Sequence, residues 1–450
     1  MDQPTIARQL AQFICTTSFD ALPPEVVEQA KSRVLDSLGT AFASRKLPVP
    51  GVALKFTAGN QGEATVFGHA RRLPAVDAAL VNATLINGTT HDDFVGKAHP
   101  GAVTLPAAMA IAEQAGRGGR ELLTGLVLGY DLVARAYLGG PAMLPKFRAT
   151  GVAGAVGAAA SAGSLLGLEV DAMTSALGLS TMFASGFGEG FVSGTMDVKL
   201  NVGWASRSGV SAALMAHCGA TASPSAFEGK SGFFMAFAGT VEHASRAVAD
   251  LGRPFLITET VYKERPVCIF VQTPVGLALR LAREHAIDPA KIERVVIHAP
   301  EATFTNPGYR NVAPFISQLQ ARISARFTVA AALLGRPVDE YDYYYNTGDA
   351  EVLALAERID LADPTDDTQN IRLDVAFAGQ QVSASAFEMD ALRPSLEKSV
   401  AKFRRLTASL LGAKADEIVR TVLALETVRN IRDLTDQLRL SDKVEAEALS

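Results

Sequence analysis

Residues 149–168 read ATGVAGAVGAAASAGSLLGL and contain no charged side chain. A helix needs about 20 such residues to cross a bilayer, so the stretch has the length of a membrane span. Most of its residues are nevertheless Ala, Gly and Ser, which gain little free energy in lipid and let neighbouring helices approach closely. The stretch therefore predicts a buried helix in a tightly packed bundle, and we expect no membrane span.

The sequence on both sides of this stretch has the pattern of helices. Apolar residues recur at three- and four-residue spacing in PPEVVEQAKSRVLDSLGTAFAS, which starts at Pro23, and in RELLTGLVLGYDLVARAYL, which starts at Arg120. The same pattern returns from Leu392 towards the C-terminus, with Gly412 as a helix stop. Both ends of the chain are therefore predicted to be helical.

A different pattern separates the two helical parts. After Pro254, β-branched residues and alternation appear in 291–299 (KIERVVIHA) and in 371–387, which has a Gly-Gln-Gln turn. We therefore expect a mainly α protein in which a large all-helical domain, built from both chain ends, carries an inserted smaller α+β domain. The expected bounds are 1–253 and 392–450 for the helical domain and 254–391 for the inserted one.

Composition excludes several classes of protein. The chain of 450 residues is 48% hydrophobic and 20% charged, which is typical of a compact globular protein. Its 42 Lys and Arg against 47 Asp and Glu leave a net charge of -5, so nucleic acid is not an expected partner. Three distant cysteines without a CxxC pair indicate a reducing compartment. The N-terminus lacks the pattern of a secretion signal, and we expect a cytoplasmic protein.

A polar cluster lies between two apolar helical runs. It reads NGTTHDD from Asn87 to Asp93, and Lys97 and His99 follow. His99 comes just before the predicted helix that starts at Pro100, where the positive end of the helix dipole favours an anion such as a substrate carboxylate. The alternative is that His91, Asp92 and Asp93 only cap helices and solvate the loop.

The same histidines and acids have the side chains of metal ligands. No HExxH motif or calcium loop accompanies His91, Asp92, Asp93 and His99. We therefore expect no metal.

Two lysines lie in unusual surroundings. Lys199 stands in MDVKLNVGWASR, ahead of the predicted helix SGVSAALMAHCG, and has small and apolar neighbours. Such a lysine either reaches water along its stem or pairs with an anion that the site binds. Lys263 stands in YKERPVC at the entrance to the inserted domain, where a lysine is ordinarily a surface charge.

Five segments together resemble the MmgE/PrpD family, which includes 2-methylcitrate dehydratase, cis-aconitate decarboxylase and iminodisuccinate epimerase. The resemblance covers nearly the whole chain. It implies a helical domain from both chain ends, an inserted α+β lid domain, an active site between them, a homodimer, and no metal or organic cofactor. The segments are HPGAVTLPAAMAIAE (99–113), VKLNVGWASRSGV (198–210), FEGKSGFFMAF (227–237), YKERPVC (262–268) and KFRRLTASLLGAKADEIVRTVLALE (402–426).

The resemblance also implies site residues. The family's run Asn-Gly-x-x-x-His-x-x-Asp-Phe-Asp-Asp-Thr aligns on residues 82–94, and His99 matches the histidine of its His-Pro-Gly element. Asp92, Asp93, Lys199 and Lys263 match the family's residues. At five further positions this chain departs from the family: Thr90 replaces the first Asp of the run, Phe94 replaces Thr, Arg148 and Gln272 each replace a His, and Phe327 replaces Tyr.

These residues suit chemistry on a polycarboxylate. Lys199, Lys263 and Arg148 are cations for two or three carboxylates, with Thr90 and Gln272 as further substrate-binding positions. His99 is the proton-transfer group, and Asp92 or Asp93 orients it or shares its work.

The sequence thus predicts a cofactor-independent lyase, dehydratase- or decarboxylase-like, that abstracts a proton next to a carboxylate of a small di- or tricarboxylate. An epimerase or isomerase that uses the same intermediate is one alternative. A non-catalytic carboxylate-binding homologue is the other.

Overall fold

The computed structural model describes residues 4–306, 308–365, 370–387 and 392–440. Helix makes up 59% of these described residues and strand 9%, which confirms the predicted mainly α class. The helices described are α1 (Ile6–Thr16), α2 (Pro24–Ala43), α3 (Pro48–Phe56), α4 (Ala75–Asn87), α5 (Pro100–Ala115), α6 (Gly119–Gly139), α7 (Ala149–Leu166), α8 (Val170–Met182), α9 (Glu189–Ser193), α10 (Asp197–His217), α11 (Phe233–Ala238), α12 (Ile269–Glu284), α13 (Glu301–Phe304), α14 (Gln318–Ile323), α15 (Ala325–Leu333), α16 (Ala350–Ala356), α17 (Leu396–Leu411), α18 (Lys414–Leu423) and α19 (Arg432–Thr435). The strands are β1 (Ala64–Thr65), β2 (Arg72–Leu73), β3 (Ile292–His298), β4 (Ile359–Leu361), β5 (Asn370–Phe377) and β6 (Gln380–Phe387).

The described residues fall into two compact units. The first, called the helical unit, takes its residues from 1–188, 196–260 and 394–450, and the second, called the sheet unit, from 189–195 and 261–393. The sequence placed the limits of the inserted domain at 254 and 391; residue 391 lies outside the described residues. It did not anticipate that 189–195 belongs to the sheet unit. There Gly194 approaches Ser317 so closely that a Cβ would lie 2.6 Å from its Oγ.

Helix α7 forms the centre of the helical unit, and every residue in it except Ser164 and Leu166 is buried. Its glycines allow the close approach that the sequence predicted. A Cβ at Gly157 would lie 2.3 Å from Val133 Cγ2 and 2.6 Å from the carbonyl oxygen of Gly129, both on α6. Helix α10 reaches α7 in the same way, since a Cβ at its Gly209 would lie 2.4 Å from the Ala158 Cβ.

Two of the described helices, α6 and α7, are long and apolar enough to cross a membrane by length and composition. The most apolar window of each is 89% buried inside the protein. Burial in a protein core accounts for this composition, as in a soluble protein.

The C-terminal segment packs back onto the N-terminal part of the helical unit. Helix α17 lies against α2, where the hydroxyls of Ser32 and Ser399 are 2.7 Å apart and both are buried. Gly412 follows α17 with φ 51°, a conformation that suits glycine at a helix end. The chain ends therefore form one core, as their shared helical pattern predicted.

The sheet unit holds a four-stranded sheet in the order β4, β3, β5, β6. Strand β3 pairs parallel to β4 and antiparallel to β5, and β5 and β6 form a hairpin. The turn is Ala378 and Gly379, with φ values of 48° and 72°, so the predicted Gly-Gln-Gln turn is wrong in detail. Positive φ at both turn positions matches the twist of a two-residue hairpin, and the two glutamines instead begin β6.

We predict that Gly157→Ala destabilises the protein. The added methyl group overlaps backbone and side chain of α6, and such overpacking costs about 1–3 kcal/mol, more than the roughly 0.5–1 kcal/mol gained in helix propensity. A lower midpoint of urea unfolding would show this.

Gly51→Ala in α3 is the matched control, because nothing lies within 4 Å of the added methyl group. It should be neutral or slightly stabilising. Equal midpoints for the two variants would contradict close packing at Gly157.

Candidate functional site

The loop between α4 and α5 carries most of the predicted site residues. It begins after Asn87, the last residue of α4, and ends at His99, the N-cap of α5. Thr90 and Lys97 both have φ 60°, a left-handed conformation that is uncommon for residues other than glycine. Strain of this kind persists only where the surrounding contacts hold the chain firmly, and it is frequent at functional sites.

His99 is held from one side of its ring. Its Nδ1 lies 2.7 Å from the Asp93 carbonyl oxygen and 3.3 Å from Asp92 Oδ2. A carbonyl oxygen can only accept a hydrogen bond, so Nδ1 carries the proton and Nε2 is the basic nitrogen of the neutral ring. Phe94, which stands where the family has Thr, packs edge-on against the ring at 5.4 Å between centroids.

Asp92 and Asp93 are both buried but have different surroundings. Asp92 Oδ2 accepts a hydrogen bond of 2.7 Å from the side-chain amide of Asn87. Asp93 accepts from the Gly101 backbone N–H at 3.1 Å and from the Tyr130 hydroxyl at 2.5 Å. Asp92 therefore lies beside the imidazole, whereas the Asp93 carboxylate lies behind the loop, against α5 and α6.

Charged residues outside the predicted set surround the Asp93 carboxylate. Arg33 Nη1 lies 4.0 Å from Asp93 Oδ2 and 3.5 Å from Asp36 Oδ2. Burial raises the pKa of Asp93 to about 6, with nearby Asp36 and Asp92 adding to the rise, whereas Arg33 and the Tyr130 hydrogen bond oppose it. Burial therefore makes the Asp93 carboxyl group harder to ionise than an exposed aspartate.

Lys402 joins the C-terminal segment to the site loop. Its Nζ donates to the His91 carbonyl oxygen and contacts Asp36 Oδ1, each at 2.6 Å. Burial lowers the pKa of this lysine to about 8, and the Asp36 carboxylate opposes the change. Lys402 opens the family segment 402–426, but nothing in the sequence indicated a role for it at the site, because it lies more than 300 residues from the loop it holds.

The predicted cation Lys199 lies in the first turn of α10, which starts at Asp197. The sequence predicted that Lys199 precedes this helix. That prediction is wrong, because the apolar pattern alone did not indicate a helix start at Asp197. Its Nζ donates to the Asn87 carbonyl oxygen at 2.7 Å and to Thr90 Oγ1 at 2.6 Å. Thr90 thus brings an uncharged oxygen to Lys199 where the family has a carboxylate.

Arg148 is the N-cap of α7, and its Nη2 donates to Asn87 Oδ1 at 3.1 Å. Burial lowers the pKa of this arginine to about 10, and the nearby carboxylates of Asp92 and Asp197 oppose the change. The guanidinium therefore remains charged at neutral pH.

The sequence pattern placed Asn87 in the polar cluster but gave it no role in the site. Asn87 is fully buried, and its groups contact Asp92, Arg148 and Lys199. A signal was present, because Asn87 aligns with the histidine of the family's motif on residues 82–94.

The other predicted site residues lie in the sheet unit. Lys263 is buried, with 1% of its surface exposed. Gln272, in the first turn of α12, donates to the carbonyl oxygens of Arg265 at 2.8 Å and Val267 at 3.1 Å, and its Oε1 accepts from the Arg265 N–H. Its amide therefore holds the segment that follows Lys263. Phe327 is fully buried against Phe315.

Within the described residues, no group of three or more His, Cys, Asp and Glu side chains is arranged to hold a metal ion. The structure thus brings together His99, Asp92, Thr90, Lys199 and Arg148 around Asn87, with Asp93 behind them.

Two family models match the chain. The MmgE/PrpD N-terminal domain matches residues 8–245 and the MmgE/PrpD C-terminal domain matches residues 266–427. Among curated proteins, a cis-aconitate decarboxylase of Aspergillus terreus is 26% identical over 51% of this chain and 49% of its own length.

Two further relatives are matched over more of their length. A cis-aconitate decarboxylase of Aspergillus terreus strain NIH 2624 is 24% identical over 96% of both chains. The cis-aconitate decarboxylase of Homo sapiens is 24% identical over 82% of this chain and 79% of its own. The two family models together cover most of the sequence, and the chain belongs to the MmgE/PrpD family.

Proposed function

We propose that this protein is a cofactor-independent lyase of the dehydratase or decarboxylase kind that acts on a small tri- or dicarboxylate. Its family makes it an enzyme of the dehydratase/lyase type. The relatives that are cis-aconitate decarboxylases support a tricarboxylate as substrate.

The observation that carries this proposal is the meeting of three long helices at their N-termini. His99 caps α5, Arg148 caps α7, and Lys199 lies in the first turn of α10. Hydrogen bonds through the Asn87 side chain and carbonyl group link Arg148, Lys199 and the Asp92 beside His99. Helix N-termini favour anions, and two buried cations strengthen that preference. A substrate with several carboxylates suits these charges.

In this arrangement His99 Nε2 moves a proton at the carbon next to a carboxylate. In loss of water, it takes the proton from that carbon and passes it to the departing hydroxide. In loss of CO2, the protonated ring gives its proton to the carbon from which CO2 has left. Asp92 beside Nδ1 stabilises the imidazolium that forms. Lys199 and Arg148 stabilise the negative charge that develops on the carboxylate as the bond to hydrogen or to CO2 breaks. The substrate-binding roles of Lys263 and Gln272 remain predictions from the sequence.

His99→Asn should lower turnover by roughly 10²- to 10⁴-fold, which is the usual contribution of a positioned proton-transfer group, with little change in substrate binding. The measurement is NMR of cis-aconitate and of 2-methylcitrate in D2O, which follows loss of CO2, loss of water and uptake of deuterium. His217→Asn, at the exposed end of α10, is the control and should retain full activity.

Each other outcome of this assay has a meaning. Full turnover in His99→Asn would remove His99 from the chemistry. Deuterium uptake by the wild type without loss of CO2 or water would indicate an epimerase or isomerase instead. Tight binding without any change in the acid would indicate a non-catalytic homologue.

We further propose that Asp93 acts through His99, because its carbonyl oxygen holds the ring and its carboxylate binds Gly101 at the start of α5. The pKa of Asp93 rises from 3.8 to about 6 on folding, so ionisation is easier in the unfolded chain. This carboxyl group therefore destabilises the fold increasingly as pH rises from 4 to 6.

Asp93→Asn removes that effect. Relative to that of the wild type, the variant's free energy of unfolding should increase by on the order of 2–3 kcal/mol between pH 4 and pH 7. Urea unfolding at both pH values measures the difference. A difference that does not change with pH would contradict a buried, hard-to-ionise Asp93.

Cys15, Cys218 and Cys268 all lie in the described part of the chain and form no disulfide bond, which suits the cytoplasmic location that we propose.

We also propose a homodimer. The glycine- and alanine-rich α7 is buried within its own unit, so its surface is not available for an interface. The exposed apolar face of α3 and α10 is a better candidate. Val52, Phe56 and Trp204 are 42%, 64% and 47% exposed there, and Arg207 lies 5.2 Å from the Trp204 ring.

Light scattering at micromolar concentration should therefore give twice the mass of one chain, and Trp204→Asp should shift it to the monomer by placing a charge in an apolar interface. Phe187→Asp, at an exposed apolar residue elsewhere in the helical unit, should leave the dimer intact. A monomeric wild type would refute the dimer.

A further inference from the structure

Asn87 stands between residues of opposite charge. Its Nδ2 donates to Asp92 Oδ2 at 2.7 Å, and its Oδ1 accepts from Arg148 Nη2 at 3.1 Å. Its backbone carbonyl oxygen accepts from Lys199 Nζ at 2.7 Å. One fully buried residue thus touches one of the acids and both cations of the helical unit's candidate site.

An amide suits this place for a chemical reason. Arginine offers only donors and a carboxylate only acceptors, whereas an uncharged amide offers both on opposite sides. A carboxylate at this position would neutralise Arg148 and repel Asp92, and a purely apolar side chain would leave buried polar groups without this partner.

We propose that Asn87 is a positioning residue that holds Arg148 and Asp92 on the two sides of its amide. Arg148 then keeps its positive charge for a substrate carboxylate, and Asp92 keeps its negative charge for His99. This role rests on the proposed function, since it assumes an anionic substrate at Arg148. It goes beyond that function because it names the residue that keeps the two charges apart.

The test compares Asn87→Leu, Arg148→Met and the double variant with the wild type. The probe is tricarballylate, a saturated tricarboxylate, and its binding is measured by titration calorimetry at neutral pH. Loss of a hydrogen bond to a charged group corresponds to about tenfold or more in affinity, so Asn87→Leu should bind the probe at least about tenfold more weakly. The double variant should bind no more weakly than Arg148→Met, because Asn87 acts through Arg148.

Asn82→Leu is the matched control. Asn82 is also buried on α4, but its amide bonds the backbone of Thr65 and Phe67 instead of site residues. This variant should lose stability and still bind the probe as the wild type does. A loss of binding equal to that of Asn87→Leu would mean that removing any buried polar side chain from α4 disturbs the site. That result would overturn the proposal.

Thermal unfolding without any ligand gives a second, independent result. Asn87→Leu should unfold at a lower temperature than the wild type, and adding Arg148→Met should recover part of the loss, because it removes a buried charge that has lost a partner. Wild-type affinity in Asn87→Leu, or no recovery in the double variant, would overturn the role of Asn87. A wild type that does not bind tricarballylate would instead refute the tricarboxylate function, and the recovery alone would then decide whether Asn87 holds Arg148.

Discussion

The close contact between α7 and its neighbours is the constraint on which the rest of the helical unit depends. Gly157 and Gly209 bring α6 and α10 to distances that no larger residue permits. Because the helices touch along their length, the start of α7 lies beside the start of α10 and the end of α4. The packing of small residues therefore decides where Arg148, Lys199 and Asn87 meet, although none of the packed residues takes part in chemistry.

Buried charge is the second constraint. Asp36, Arg33 and Lys402 lie in the interior behind the site loop, and with Asp93 they form a network of opposite charges. Removing such groups from water is unfavourable, and pairing compensates for it only in part. What the network provides is position: it holds the backbone of the loop at His91 and Asp93, and through Asp93 it fixes the imidazole of His99.

Three of the departures from the family's pattern form a connected set. Thr90, Asn87 and Arg148 all lie within one hydrogen bond of another member or of Lys199. Relative to the family's motif, a carboxylate beside Lys199 is replaced by a hydroxyl, and a histidine is replaced by a permanent cation. Both changes make the helical unit's part of the candidate site more positive.

The sequence by itself determined the fold class and much of the local structure. Helix spacing, the small residues of 149–168 and the strand alternation in 371–387 act over short distances, so the pattern alone predicts them. It also determined that His99 lies at the N-terminus of a helix, because Pro100 and the apolar run after it start that helix. The family motif supplied Asp92, Lys199 and Arg148 by alignment. Only the tertiary structure decided that Asn87 joins these residues, that Asp93 supports His99 from behind, and that Lys402 holds the loop from the far end of the chain. Those contacts depend on how helices pack side by side, and no local pattern in the sequence encodes which distant side chain will fill the space between them.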